Sequence, residues 1–216
     1  MAHPNHNTAR RRWLLRFAVV LLVGAWAVSP PAAQAAVVRV EEDWELVISD
    51  PDPNCDSPQI TCTISPVGDI AAVHAAFDLN QRSFLEFNAG GLQLQLWNGE
   101  TAVAQITGPS GGLLCTAGER IQWTQSMELA EGSLIFQVSG GTSTTWGAFG
   151  AEGSLRLSVP AGLSSLDGYD PRVTVRNTGV GYAANRVQSL VLKRVRYYSE
   201  SGESWEDNTE RLVHQQ

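Results

Sequence analysis

Leu92-Gln93-Leu94-Gln95-Leu96-Trp97-Asn98-Gly99 is the stretch that decides the fold of this 216-residue chain. Leucine at every second position puts three apolar side chains on one face of an extended strand, and Gln93, Gln95 and Trp97 on the other. Asn98-Gly99 is a favoured two-residue turn, so the chain is expected to return as a hairpin through Ala102 to Ile106.

The same period of two runs outward from this hairpin in both directions. Before it, Trp44, Leu46 and Ile48 alternate, then Ile60, Cys62 and Ile64, then Val73, Ala75, Phe77 and Leu79. After it come Ile121, Trp123, Gln125 and Met127, then Leu134, Phe136 and Val138, then Leu155, Leu157 and Val159. A long closing element, Val187 to Tyr198, is apolar on both faces in its first half and alternates aromatic and basic groups in its second. Glycine and proline punctuate the runs, and helical periodicity is nearly absent. Many short strands without crossover helices indicate an all-β, antiparallel β-sandwich.

The strand rhythm, with Leu190, Leu192 and Arg194 before Tyr197-Tyr198, resembles the concanavalin A-like or laminin-G-like jelly roll of secreted proteins. The resemblance spans roughly Trp44 to Tyr198 and is one of architecture, without a diagnostic motif. It implies sugar or protein binding, often with calcium, and sometimes glycoside hydrolysis.

The N-terminus reads as an export signal. Arg10, Arg11, Arg12 and Arg16 precede an apolar run from Phe17 to Val28, and Ala33-Gln34-Ala35 supplies a small-residue cleavage site. The run is too short to span a bilayer as a helix. The expected organisation is a cleaved signal peptide over 1–35, a sandwich domain over 36–199, and an acidic, disordered tail over 200–216. The localisation implied is secreted or extracytoplasmic, with the membrane met only during export. The arginine cluster also matches a twin-arginine signal, which leaves the export route open.

Removing residues 1–35 takes away four arginines and no acid, leaving 11 basic against 22 acidic groups, a net of −11. A polyanion needs a basic stripe, and Lys193 is the single lysine, so nucleic acid is not an expected partner. Cys55, Cys62 and Cys115 make an odd count in an oxidising compartment, which predicts a disulfide of Cys62 with Cys55 or else with Cys115.

Four places in the sequence carry candidate chemistry. Glu41, Asp43 and Glu45 share a strand face in an E-x-D-x-E spacing that resembles the catalytic strand of family 16 glucanases. The match departs at Glu42, where that family has an apolar residue, and in starting so near the mature N-terminus. No catalytic residue is assigned there. Asp50, Asp52, Asn54 and Asp56 offer oxygen ligands at alternate positions, a candidate calcium site; no other cofactor is expected. His74 and His214 are the only histidines after residue 35, and His74 reads as a sheet-face residue, so a serine or cysteine nucleophile lacks a base. Finally, Trp146, Phe149, Asn177, Tyr182 and Asn185 lie in glycine-rich segments where aromatic faces and amides suit a glycan, against the alternative that these rings plug the ends of the core.

The functional expectation is an exported, non-enzymatic binding or structural module whose partner is a glycan or another cell-surface protein. A small glycoside hydrolase of the same fold and a cell-envelope assembly subunit are the alternatives.

Overall fold

Thirteen strands and one short helix are laid out in two antiparallel sheets in a computed structural model, which describes residues 35–49, 57–80, 90–109, 112, 114 and 116–216. The first sheet carries, in order, β12 (Ser204–Asp207), β11 (Val187–Ser199), β1 (Val37–Ile48), β6 (Arg120–Ala130), β7 (Ser133–Ser143) and β8 (Gly147–Phe149). β13 (Arg211–Gln215) also pairs with β11, and β9 (Arg156–Pro160) with β7. The second sheet runs β10 (Gly179–Tyr182), β2 (Gln59–Ile64), β3 (Val73–Leu79), β4 (Leu92–Asn98), β5 (Thr101–Thr107). Consecutive strands mostly stay within one sheet as meanders, and the jelly-roll order is not seen in it.

The β4–β5 hairpin forms as read, with its turn one residue later than expected. Asn98 pairs with Thr101, so Gly99 and Glu100 are the loop residues, and Gly99 sits at φ +57°. Positive φ at the first loop position is what a type II′ turn asks of glycine.

The alternation places the core. Leu92, Leu94 and Leu96 of β4, Ala75, Phe77 and Leu79 of β3, and Ile60, Cys62 and Ile64 of β2 are buried between the layers. They meet Trp44, Leu46 and Ile48 of β1 and Ile121, Trp123 and Met127 of β6. Phe77 touches Trp123 across the layers with centroids 5.8 Å apart, and Trp123 stacks on Trp44 at 6.1 Å. Each such aromatic pair contributes about 1 kcal/mol beyond the burial of its area.

β11 explains how one strand serves two environments. Arg194 pairs with Asp43 and Leu192 with Trp44, so Lys193 is an extra residue in a bulge. The bulge reverses the alternation: Leu190 and Leu192 point inward before it, Val195 is buried after it, and Arg194, Arg196 and Tyr198 remain on the outer face.

Three expectations change. The tail is ordered where it was expected to be disordered: β12 pairs with residues 195–198 of β11 and β13 with residues 189–192. Backbone pairing to an open edge needs few apolar side chains, and Trp205 adds a stack on Tyr197 at 5.3 Å. Cys62 carries a free, buried thiol, so neither disulfide predicted for it is formed; its inward alternation put the sulfur among apolar neighbours rather than at a loop. Cys55 and Cys115 lie outside the described residues, as do the calcium candidates Asp50, Asp52, Asn54 and Asp56 and nearly all of the expected signal peptide. Lastly, a helix, α1 (Pro171–Asn177), interrupts the all-β pattern. Asp170 caps it by accepting from the Arg172 N–H at 2.9 Å, and Pro171 opens its first turn.

Candidate functional site

Two bulges at the same level of the larger sheet shape its outer face. On β11 the extra residue is Lys193. On β7 Gly140 and Gly141 together oppose the single Trp123, because Gln122 pairs with Thr142 and Thr124 with Ser139. Gly140 takes φ +61°, and a Cβ on Gly141 would come within 2.2 Å of the Phe149 ring, so both positions require glycine. Between the bulged strands lie β1 and β6, paired at Trp44 and Trp123. Bulges bend their strands, and here they frame a depression of about 390 Å³ lined by Asp43, Gln122, Thr124, Gly140, Lys193, Arg194 and Asn208.

The floor of this trough is built by alternation along β1, which turns Glu41, Asp43 and Glu45 outward as the spacing predicted. Asp43 accepts from Thr124 Oγ1 at 2.8 Å, from Arg194 Nε and Nη2 at 2.8 and 2.7 Å, and from Arg196 Nη2 at 2.9 Å. Glu41 pairs with Arg39 and Arg196 and accepts from Tyr198 Oη at 3.0 Å. Burial alone would raise the Glu45 carboxyl, but Arg120 and Gln122 outweigh it and hold it below the ordinary range. Lys193 pairs with Glu210, and Arg194 Nη1 reaches Glu206 at 3.2 Å. Each charge in the trough thus faces an opposite one.

A carboxyl raised far out of its ordinary range lies on the other side of β1. Glu42 points into the core, fully buried, and accepts from Tyr169 Oη and Thr174 Oγ1 at 2.7 Å each and from Trp44 Nε1 at 3.0 Å. Loss of water pushes its pKa up to about 7 despite those three donors. It ties α1 and the segment before it to the sheet. Across the strand pair stands Gln125, also buried, with neither amide atom partnered among the described residues. The sequence signal for Glu42 was its position: an acid in phase with Trp44, Leu46 and Ile48.

The residues singled out in loops are not brought together. Phe149 is a core residue packed on Phe77 with centroids 6.2 Å apart, and Trp146 is 9% exposed. The turn carrying Trp146 is held by buried Glu119, which accepts from Ser143 Oγ, Thr145 Oγ1 and the Thr145 N–H. Tyr182 lies at the opposite lateral edge, because β10 packs near β13 whereas β9, beside β7, packs near β4 and β5, and the Asn185 carbonyl accepts from Ser49 Oγ just past the end of β1. Asn177 closes its own helix, donating to the Val173 carbonyl at 2.8 Å. The core-plug alternative therefore describes Trp146 and Phe149. On the outer face of the smaller sheet, His74 stacks on Trp97 at 6.5 Å, a sheet-face role as expected.

Among the described residues no cluster of three or more metal-ligating side chains occurs, and no helix is long and apolar enough to cross a membrane. The chain matches no protein-family model and no curated protein.

Proposed function

We propose that this chain is an exported, non-enzymatic binding module that takes an uncharged, polyhydroxylated ligand, a glycan chain, on the outer face of its larger sheet. The observation that carries this reading is the bulge-framed trough over Asp43. Its walls offer amide, hydroxyl, ammonium and guanidinium groups whose positions are fixed by mutual hydrogen bonds, so little side-chain entropy is lost on binding. Its charges cancel in pairs, which favours a neutral ligand that exchanges hydroxyls for water over an ion drawn by a net field. A trough, rather than a closed pocket, suits a chain lying across the strands.

Screening the purified protein against a glycan array, followed by calorimetric titration of the best ligand, tests the proposal. Gln122 and Asn208 are exposed on the trough, so the double substitution Gln122→Ala, Asn208→Ala should cut affinity at least about tenfold, the loss of roughly two hydrogen bonds, without lowering the melting temperature. Absence of binding across the array, or binding indifferent to these residues, sinks the reading.

Glycoside hydrolysis is the second reading, favoured by one observation: the trough lies over the middle of the Glu41, Asp43, Glu45 face. Reducing-sugar release that Glu41→Gln abolishes would establish it in place of binding alone.

A further inference from the structure

We infer that the trough over Asp43 is the deeper part of a longer groove, and that the glycan it takes is an extended, uncharged, β-1,4-linked chain held through its internal units. This rests on the reading above and adds to it the shape and linkage of the ligand. The outer face of the larger sheet carries a second depression, of about 200 Å³, lined by Arg196, Tyr198, Ser204, Trp205 and Glu206. Its place follows from alternation along β11: Arg196 stands two residues on from Arg194, on the same face and about 7 Å further along the strand. β12 supplies the far wall, because Arg196 pairs with Glu206 and Tyr198 with Ser204.

The two depressions share their charged groups. Arg196 lines the second, yet its Nη2 donates to Asp43 in the first at 2.9 Å. Glu206 also lines the second and accepts from two trough residues, Arg194 at 3.2 Å and Asn208 at 3.0 Å. Opposite charges are again matched, so an uncharged chain meets the same kind of surface in both. Tyr198 adds an aromatic wall at this end, its hydroxyl donating to Glu41 at 3.0 Å and the Arg39 guanidinium lying 5.3 Å from its ring centroid. At the other end Gly140 carries no side chain, and a Cβ there would meet no atom within 4 Å, so the floor is open.

From Gly140 on β7 to Glu206 on β12 the groove crosses β6, β1 and β11, four strand intervals of about 4.8 Å each, or roughly 19 Å. One interval is close to the length of a pyranose unit in an extended chain. A β-1,4 linkage joins the rings through equatorial bonds and keeps the chain straight, so successive units lie over successive strands. Thr124 of β6, Asp43 of β1, Arg194 of β11 and Glu206 of β12 then face one unit each. An α-1,4 chain coils and leaves a surface this long. The groove runs out over the edge strand, β12, so the chain continues beyond it and internal units are what it holds.

Calorimetric titration of the purified protein with cellooligosaccharides, β-1,4-mannooligosaccharides and chitooligosaccharides, each from disaccharide to hexasaccharide, tests this, with maltooligosaccharides as the coiled comparison. One β-1,4 series should bind, its affinity rising at least about tenfold from disaccharide to pentasaccharide and then levelling off. Tyr198→Ala should remove most of that rise and leave disaccharide binding unchanged, whereas Gln122→Ala with Asn208→Ala should weaken both. Should Tyr198→Ala misfold by circular dichroism, Ser204→Lys, which sets a long side chain into the second depression from an exposed position, decides. An affinity already full at the disaccharide, or equal or better binding of other linkages, overturns this inference and leaves the proposed function standing. A protein that binds no glycan at all overturns both.

Discussion

Replacing Glu42 by glutamine isolates the one carboxyl that is completely buried among the described residues. With its pKa at about 7 in the fold against an ordinary 4.5, Glu42 binds its proton more tightly folded than unfolded. The sign follows from that order. Below pH 4.5 both states are protonated and the fold has its full stability. Between pH 4.5 and 7 the unfolded chain releases the proton while the folded chain retains it, so stability falls as pH rises. Above pH 7 both states are ionised and the loss levels off. At about 1.4 kcal/mol per pKa unit, the gap corresponds to about 3 kcal/mol. In Glu42→Gln the amide oxygen still accepts from Tyr169 and Thr174, while the amide nitrogen cannot accept from Trp44, a pH-independent cost of about 1 kcal/mol. Urea unfolding followed by tryptophan fluorescence from pH 4.5 to 8 reads both proteins. The difference between them should move by about 3 kcal/mol in favour of the variant across this window, the other carboxylates cancelling in the subtraction. A difference that stays constant would refute the reasoning, because it would mean that burial does not hold the proton on Glu42.

Gln125→Met removes a buried amide with no partner among the described residues and keeps its volume, so it should stabilise the fold by about 1 kcal/mol in the same assay. Gly141→Ala sets a methyl against the Phe149 ring and should destabilise by about 1–3 kcal/mol, with a lowered melting temperature as the readout. Asp43→Asn loosens the trough while its arginine partners stay solvated, so its effect on melting should stay below about 1 kcal/mol. Amide exchange at residues 204–207 and 211–215 should be slow where they pair with β11, and exchange as fast as an unstructured peptide's would contradict the ordered tail.

The sandwich was legible because one face of most strands is dry: Leu92, Leu94 and Leu96 can share a face only if the chain is extended. The outward turn of Glu41, Asp43 and Glu45 was legible for the same reason. Phase changes were not. The bulge at Lys193 reverses which side chains of β11 face the core, and nothing local marks it; the paired bulge at Gly140 was visible only as glycine content. The trough depends on both, together with Asn208 from a tail whose polarity suggested disorder. Backbone hydrogen bonds, blind to side-chain polarity, order that tail. Asp170-Pro171 was a readable helix start, but seven residues give too few turns for apolar periodicity to register. Aromatics in the segment from Gly140 to Gly153 pointed to a ligand, whereas Glu119 fixes that turn and sends Phe149 into the core.

The proposed ligand site is the trough at the paired bulges, on the outer face of the larger sheet. Backbone amide chemical-shift mapping of the ¹⁵N-labelled protein, titrated with the best oligosaccharide from the array, tests it most directly. The largest shifts are expected at Asp43, Gln122, Thr124, Lys193, Arg194 and Asn208. Shifts centred instead on Trp146, Phe149 and Tyr182, or on the outer face of the smaller sheet around Trp97, would contradict it.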